Sequence, residues 1–184
     1  MKRHLPRLAS ARVCVRLLEP HEADKMARFR RHNRDHLEVW EPRRMPEFFT
    51  EGFWQIQLRA HLRDFRAGSS VCFALLDAEE TRVIGVCNYT SIVRGTFQSC
   101  HLGYALCRDE EGKGMMQEAL QMTNRYMFEQ QGLHRIMASY LPHNHRSADL
   151  LERLGFEKEG FARSYLKING YWEDHVLTSL IHEP

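Results

Sequence analysis

The sequence of 184 residues predicts a mixed α/β fold, and three observations support this prediction. Short apolar runs that are typical of strands dominate the middle of the chain. Segments with apolar residues at helical spacing separate these runs. The segment 104–119 combines both patterns, because an apolar strand leads through a turn with two glycines into an amphipathic helix. Neither a repeat nor a linker interrupts the pattern, so we expect one domain over residues 1–184.

The limits of the elements follow from their end signals. Gly68, Gly132 and Gly155 stand where a helix ends in the left-handed conformation. Asn144 is a favourable N-cap for the last helix, and Gly85 marks a bulge inside a strand. The predicted strands cover 13–17, 71–77, 82–93, 98–107 and 135–141, and the predicted helices cover 21–36, 50–67, 112–131 and 144–154.

The last part of the chain predicts a β-hairpin. Asn169-Gly170 is a strong two-residue turn signal, and it lies between two strand-like runs. Counting outward from this turn places Lys167 opposite Trp172 and Tyr165 opposite Asp174. We therefore expect both pairs on one face of the hairpin.

The turn that precedes the helix at 112–131 is the strongest functional signal. Gly112 and Gly114 carry no side chain that caps a helix, so the N–H groups from Glu111 through Met115 are expected to be free. The helix dipole adds positive potential at the same end. Free amides and the dipole together form a seat for phosphate. We therefore predict a ligand that bears phosphate.

Composition and motifs exclude several other classes. Lys113 is followed by glycine rather than Ser or Thr, which excludes a P-loop, and two glycines do not make a dinucleotide fingerprint. His143 and His145 cannot share a helix face, so we expect no metal. The sequence contains no apolar run of about 18 residues, which is the length that would predict a membrane span. Five cysteines scattered through apolar strands predict free thiols in a reducing, cytoplasmic location.

The chain also resembles the GNAT superfamily of acetyl-CoA-dependent N-acetyltransferases. Its signature is a Gln/Arg-x-x-Gly-x-Gly/Ala turn between the fourth strand and the third helix, and residues 109–114 match it except for the acidic Asp109. Further segments are similar to the ribosomal-protein-alanine N-acetyltransferases of this superfamily. These segments are 40–42, 93–95, 102–104, 134–138, 142–144, 150–160 and 174–178.

The resemblance implies a fold and an activity. The implied GNAT fold is a mostly antiparallel sheet of about seven strands flanked by four helices, with a splay between the fourth and fifth strands. The implied reaction is direct attack by the N-terminal α-amine of a protein on acetyl-CoA, and the implied substrate is an alanine-starting small-subunit ribosomal protein. Two alternatives stay open. In the first alternative, the acceptor is a small amine or a lysine side chain. In the second, the chain is a ribosome-assembly binding protein for which acetylation is incidental.

The resemblance also assigns the cofactor site. Main-chain N–H groups of Glu111 through Met115, with Gly112, Lys113, Gly114 and Met115 as the assigned site residues, would hold the diphosphate of CoA, and Arg108 and Lys113 would supply positive charge. Lys113 is equally well explained as a surface lysine. Asp109, Glu110 and Glu111 oppose phosphate unless they point into water, so they are expected to weaken CoA binding.

The end of the strand that precedes this turn is assigned to pantetheine. Leu106 and Cys107 would pair with it through main-chain groups, and an N–H there would polarise the thioester carbonyl. The Cys107 thiol is expected to be a buried filler rather than an acetyl carrier. Asn144 would contact pantetheine as well.

Catalytic side chains are assigned on the same basis. Ser147 is the candidate acid that protonates the departing thiolate, although a serine in a first helical turn also simply caps backbone donors. Glu159 and Asp174 are candidate bases, and Tyr165 would orient one of them. Glu41 is a third candidate base. With Trp40 and Trp172, Glu41 is also expected to line the slot for the substrate peptide.

An α-amine needs only a modest base. Its pKa is near ~7.8, so roughly 30% is neutral at pH 7.4, whereas a lysine amine with a pKa near ~10.4 is neutral to about 0.1%. The difference favours an N-terminal amine as the acceptor.

Positive charge is concentrated at the start of the chain. Residues 1–44 hold 12 Lys and Arg against 6 Asp and Glu, whereas the net charge of the chain is +2. Two interpretations are open for the arginines of the first predicted helix: a solvated face, or attraction to an anionic partner such as a ribosomal particle. We expect no sequence-specific binding of nucleic acid. The arginines are Arg28, Arg30, Arg31 and Arg34.

Overall fold

A computed structural model describes residues 4–183 of the chain. Its eight described strands form a single sheet in the order β1-β2-β3-β4-β5-β6-β8-β7. The strands are β1 (Arg7–Ala9), β2 (Val13–Arg16), β3 (Val71–Asp77), β4 (Val83–Val93), β5 (Ser99–Leu106), β6 (Arg135–Tyr140), β7 (Glu157–Ile168) and β8 (Tyr171–Ile181). The α-helices are α1 (Ala23–His32), α2 (Arg34–Leu37), α3 (Glu51–Ala67), α4 (Met115–Glu129) and α5 (His145–Arg153).

The sheet splays beside the end of β5. Its neighbouring strands are antiparallel except β5 and β6, which run parallel. These two strands pair from Ser99 opposite Arg135 to Leu102 opposite Ala138 and no further. The last four residues of β5 therefore lose their neighbour on this side while they stay paired with β4.

The observed elements confirm the predicted GNAT architecture and add to it. The short strand β1 makes eight strands instead of about seven, so the splay lies between the fifth and sixth strands in this numbering. The single helix predicted over 21–36 is wrong in its continuity, because the chain breaks at Asn33 into α1 and α2. α4 begins at Met115 rather than at residue 112.

Helices cover both faces of the central strands. Consecutive residues are buried in the middle of β3 and at the start of β4, which requires cover on either side. α3 follows the predicted limits, because Thr50 accepts a hydrogen bond from the Phe53 N–H and Gly68 ends the helix with φ at 74°. Within residues 4–183, no helix combines the length and the apolar character that a membrane span needs.

Gly85 lies at a bulge, as predicted. The pairing of β3 with β4 shifts between Leu75 opposite Gly85 and Leu76 opposite Val83. A Cβ atom at Gly85 would lie 2.6 Å from the carbonyl oxygen of Ala105. A side chain at this position would therefore separate β4 from β5 beside the splay.

The hairpin prediction is confirmed at its turn and wrong farther out. Lys167 lies opposite Trp172, but the register shifts between Ala162 and Leu166. Tyr165 therefore does not lie opposite Asp174. A bulge replaces that pair, because the Ser164 N–H donates to Asp174 Oδ1 at 2.8 Å and Ser164 has φ at 46°.

Candidate active site

A cleft of about 730 Å³ lies at the splay of the sheet. One wall is α2 with the loop that follows it, another is the end of β5 with the glycine turn and the start of α4, and the third is α5 along its whole length. The residues predicted from the sequence that line it are Trp40, Glu41, Leu106, Arg108, Gly112, Gly114, Met115, Asn144 and Ser147. Lining residues that sequence reasoning did not assign to a site include His36, Tyr104, Gln117, Arg146, Asp149 and Arg153.

The glycine turn presents a row of free amides to this cleft. Gly112 and Gly114 have φ near 74° and 78°, and Gly114 stands at the N-cap position of α4 without a capping side chain. The N–H groups from Gly112 through Gln117 have no acceptor among residues 4–183. The predicted start at Glu111 is wrong by one residue, because the Glu111 N–H donates to the Arg108 carbonyl at 3.3 Å.

Two of the three acidic residues before the turn do not point into water. Glu110 is buried, and its carboxylate accepts hydrogen bonds from Arg82 and from Lys113 Nζ, the latter at 3.1 Å. Burial acts to raise the pKa of Glu110, but these hydrogen bonds outweigh it and lower the pKa. Lys113 is thus engaged by Glu110 and does not line the cleft, whereas Asp109 is exposed.

Glu111 lies inside the cleft between the imidazole of His36 and the guanidinium of Arg146. Its Oε1 is 3.3 Å from His36 Nε2, and its Oε2 accepts a hydrogen bond from Arg146 Nη1. His36 comes from α2 and Arg146 from the first turn of α5, so the carboxylate links two walls of the cleft. No local motif marks this contact, because the three residues lie far apart in the sequence.

The main chain at the end of β5 alternates between two directions. The Cys107 N–H donates to the Ile84 carbonyl at 2.7 Å and is therefore engaged with β4. By alternation along an antiparallel pair, the amides of Tyr104 and Leu106 face the splay. Burial raises the pKa of the buried Cys107 thiol, which disfavours the thiolate that a covalent route needs.

Tyr104 and Ser147 bring two hydroxyl groups to the same cleft. The Tyr104 hydroxyl oxygen is buried and has no hydrogen-bond partner in the described part of the chain. Burial raises the pKa of Tyr104 to about 12, and the nearby Ser147 hydroxyl lowers it in part, although the two hydroxyls do not reach hydrogen-bond geometry. Asn144 caps α5 as predicted, since its Oδ1 accepts from the Ser147 N–H at 3.1 Å and so fixes this serine.

Glu41 lies in the cleft wall and is bound from behind by arginines. Arg30 Nη1 donates to Glu41 Oε1 at 2.8 Å, and Arg44 Nη2 donates to Oε2 at 3.3 Å. The neighbouring Trp40 packs against His143, with 5.6 Å between ring centroids. Two of the three residues predicted for the substrate slot, Trp40 and Glu41, therefore line the cleft.

The remaining predicted site residues lie outside the cleft. Arg135 donates to both oxygens of Glu159, at 2.7 and 2.8 Å, and this hydrogen bonding lowers the pKa of Glu159. Asp174 accepts from the bulge of β7, and Tyr165 packs on His175. Trp172 is 64% exposed near the hairpin turn.

The arginines of the first helix do not form one solvated face. Arg30 is buried, whereas Arg28 pairs with Asp24 on α1. Arg31 donates to the Phe49 carbonyl, and the Arg34 guanidinium lies 4.9 Å from the centre of the Phe49 ring. No group of three or more His, Cys, Asp or Glu residues that could hold a metal occurs within residues 4–183.

Comparison with known proteins gives concordant results. A family model described as an acetyltransferase (GNAT) domain matches residues 12–157. The [ribosomal protein uS5]-alanine N-acetyltransferase of Escherichia coli (strain K12) is 47% identical over 95% of this chain and 90% of that protein. The crystal structure of ribosomal-protein-S5-alanine acetyltransferase from Vibrio fischeri superimposes with a TM-score of 0.93, at 40% identity over 97% of each chain. Mycobacterium smegmatis RimJ in complex with CoA-disulfide has a TM-score of 0.87 at 26% identity, over 96% of this chain and 86% of that one.

Proposed function

The chain belongs to the GNAT acetyltransferase family, and we propose that it acetylates the N-terminal α-amine of an alanine-starting small-subunit ribosomal protein. Acetyl-CoA is the acetyl donor of this family. The observation that carries the proposal is the cleft, in which the free amides of the glycine turn lie next to the splayed end of β5. A relative that is 47% identical and is named as a [ribosomal protein uS5]-alanine N-acetyltransferase supports it. We further propose a cytoplasmic location and passing contact with ribosomal particles, for which the five free thiols and the relatives' substrates are the support.

The residues present fit the diphosphate of CoA. The six N–H groups from Gly112 through Gln117 supply donors at the positive end of α4. Arg108 lines the same part of the cleft and supplies positive charge, whereas Arg146 lines it but is bound to Glu111. Lys113 contributes only through its main chain, because its ammonium group is bound to Glu110.

The pantetheine arm fits the gap between β5 and β6. Leu106 offers main-chain groups on the open side of β5, where β6 no longer pairs. Asn144 keeps its amide N–H₂ group for a ligand, because its oxygen already caps α5. In this arrangement the Leu106 or Tyr104 amide, rather than that of Cys107, is placed to polarise the thioester carbonyl.

The chemical step is direct transfer. The neutral amine nitrogen attacks the thioester carbon, a C–N bond forms, and the extra proton of the nitrogen passes to water. The C–S bond then breaks, and its electron pair remains on the sulfur of CoA. Because roughly 30% of an α-amine is already neutral at pH 7.4, the step does not require a carboxylate base such as Glu159 or Asp174.

Ser147 and Tyr104 are placed to stabilise the departing sulfur. A simple thiol has a pKa near ~8.5, whereas the pKa of Tyr104 is about 12. Proton transfer from tyrosine to the thiolate is therefore unfavourable, and both hydroxyls act best as hydrogen-bond donors to negative charge that develops on sulfur. The thiolate takes its proton from solvent at the pH of the cell.

The proposal is tested by thiol release from acetyl-CoA with three acceptors. We expect turnover with a peptide that starts with a free alanine, and much less with an N-blocked peptide that contains lysine or with a polyamine. Turnover with lysine or polyamine alone would assign the acceptor to the alternative class. Binding to ribosomal particles is measured in parallel with the Gly114→Glu variant, which is designed to block CoA. Binding that survives in this variant would show that particle association and acetylation are separate roles.

A further inference from the structure

A buried arginine, Arg30, lies behind the wall of the cleft that is formed by α2 and the loop after it. We call this wall the acceptor wall, because it holds Trp40 and Glu41. The Arg30 side chain is 6% exposed, and its guanidinium lies 5.2 to 5.6 Å from the ring centres of Phe29, Phe48 and Trp54. Its Nη1 donates to Glu41, while its buried Nε has no partner among the described residues. The charge of Arg30 is therefore enclosed by aromatic rings and directed at one carboxylate.

Glu41 is fixed at three points. Arg30 and Arg44 each bind one of its carboxylate oxygens, and its carbonyl oxygen accepts from the Asn169 N–H at 2.9 Å. The residue also lines the cleft, and its side chain is 18% exposed. A carboxylate oxygen has two acceptor sites, so Glu41 retains acceptor capacity toward the cleft after both arginines are bound.

Stability alone gives little reason for a charge at position 30. A buried ion pair commonly contributes less than well-packed apolar side chains of similar volume. The three aromatic rings around Arg30 would accommodate a methionine, whose thioether packs well against aromatic rings. The arginine between these three aromatic rings is therefore better explained by its effect on Glu41.

The chemistry of the acceptor supplies that explanation. Only the neutral amine has a lone pair for attack. An unpaired carboxylate beside the amine would stabilise the ammonium form and raise the pKa of the bound amine. Two guanidinium groups behind the carboxylate offset its charge and leave its lone pairs in place.

We propose that Arg30 and Arg44 are positioning residues that neutralise Glu41, so that Glu41 orients the acceptor amine by a hydrogen bond without holding it as ammonium. This inference rests on the proposed transfer to an α-amine. It distinguishes Glu41 from a general base, because the proton of the amine is not transferred to the carboxylate.

Other charged groups face the same cleft and stay constant in the test. Glu111 contacts His36 and Arg146, and none of the variants changes these contacts. The remaining titratable or charged groups are Arg108, Asp149 and Arg153 in the lining, Tyr104 on β5, and His143 against Trp40.

The test is the pH dependence of kcat for an alanine-starting peptide. In Arg30→Met the acid limb of kcat is expected to move to higher pH by about one unit, with an approximately tenfold loss of kcat at neutral pH. Arg44→Met is expected to show a smaller shift in the same direction, because Arg44 is more exposed. The double variant Arg30→Met/Glu41→Gln is expected to return the limb to the wild-type position or below it.

Two controls are built into the experiment. The acid limb of kcat/KM reports the free peptide amine and is expected to stay near ~7.8 in all variants. Arg28→Met changes an exposed arginine of the same helix and is expected to leave both profiles unchanged.

The outcomes separate the inference from the proposed function. A wild-type protein that does not acetylate any free α-amine would refute the proposed function itself. An active wild type with an unshifted kcat profile in folded Arg30→Met would overturn the role of Arg30 and Glu41. If Arg30→Met does not fold, Arg44→Met decides, and an unshifted limb in that variant overturns the inference equally.

Discussion

The Oε1 atom of Glu111 lies 3.3 Å from Nε2 of His36, within the cleft and next to the amides that are proposed to bind diphosphate. The other oxygen of the same carboxylate is bound by Arg146. Glu111 therefore engages a cation that the phosphates of CoA would otherwise use. These contacts of Glu111 explain why an acidic residue is tolerated beside a proposed phosphate-binding site.

Replacement of Glu111 by glutamine is expected to tighten CoA binding. The change removes one negative charge near the diphosphate and releases Arg146 for the phosphates. An interaction of about 1 kcal/mol corresponds to an approximately fivefold lower Kd, measured by calorimetry. Glu129→Gln, at the far end of α4, is the matched control and is expected to leave Kd unchanged. Weaker binding in Glu111→Gln would show that the carboxylate supports the site rather than competes with CoA.

The left-handed conformation at Gly114 gives a second prediction. Gly114→Ala and Gly132→Ala both place a side chain at positive φ, so each is expected to lower the free energy of unfolding by about 1 kcal/mol. Only Gly114→Ala would also redirect amides of the phosphate seat, and a lost hydrogen bond to a charged group weakens CoA binding by about tenfold or more. Equal loss of CoA affinity in both variants would indicate a global effect instead of a local one.

Tyr104→Phe is expected to gain stability and lose activity. Its buried hydroxyl has no partner among residues 4–183, so its removal relieves a desolvation cost of about 1 to 3 kcal/mol. Loss of a donor to the departing sulfur is expected to lower kcat by about tenfold or more with little change in the KM for acetyl-CoA. Melting temperature and initial rates measure the two effects.

Tyr89→Phe is the matched control for this variant. The buried Tyr89 hydroxyl bonds to Thr123 at 2.8 Å and to Asn124 at 2.6 Å. Its removal takes away the donor to the buried Asn124 Oδ1, whereas Thr123 still donates to the Ala119 carbonyl. Stability is therefore expected to fall while kcat stays near that of the wild type. A Tyr104→Phe variant that is less stable and fully active would contradict the assigned role.

Much of the fold could be predicted from local sequence, and so could the part of the cleft that is proposed to bind CoA. Gly112, Gly114 and Asn144 act through their own backbone or the next turn of helix, so short patterns reveal them. The ends of α3 and α5 were predictable for the same reason. Local signals report local structure, and these sites are built locally.

The acceptor wall depends on contacts that no local pattern encodes. Arg30 looks like part of a solvated arginine face until the aromatic rings of Phe48 and Trp54 enclose it. The bulge at Ser164 moves Tyr165 out of register, because counting from a turn assumes that both strands continue without an extra residue. The family resemblance alone assigns Glu159 and Asp174 to the site, and no local pattern tells how far either carboxylate lies from the cleft.

The acid stability of the protein is expected to depend on Glu22. Arg16 binds both of its carboxylate oxygens, at 2.7 and 2.8 Å, and this hydrogen bonding lowers the pKa of Glu22 from 4.5 to about 2, although burial opposes it. A carboxyl whose pKa is depressed in the folded state stabilises that state above pH ~4.5. The contribution is lost as the pH falls from about 4.5 toward 2.

Glu22→Gln is therefore expected to lower the free energy of unfolding by up to about 3 kcal/mol at pH 7, with the difference from wild type vanishing near pH 2. Denaturant unfolding at several pH values measures this, with Glu152→Gln as an exposed control that is expected to change little. A difference that persists unchanged at pH 2 would mean that Glu22 acts through packing and not through its charge.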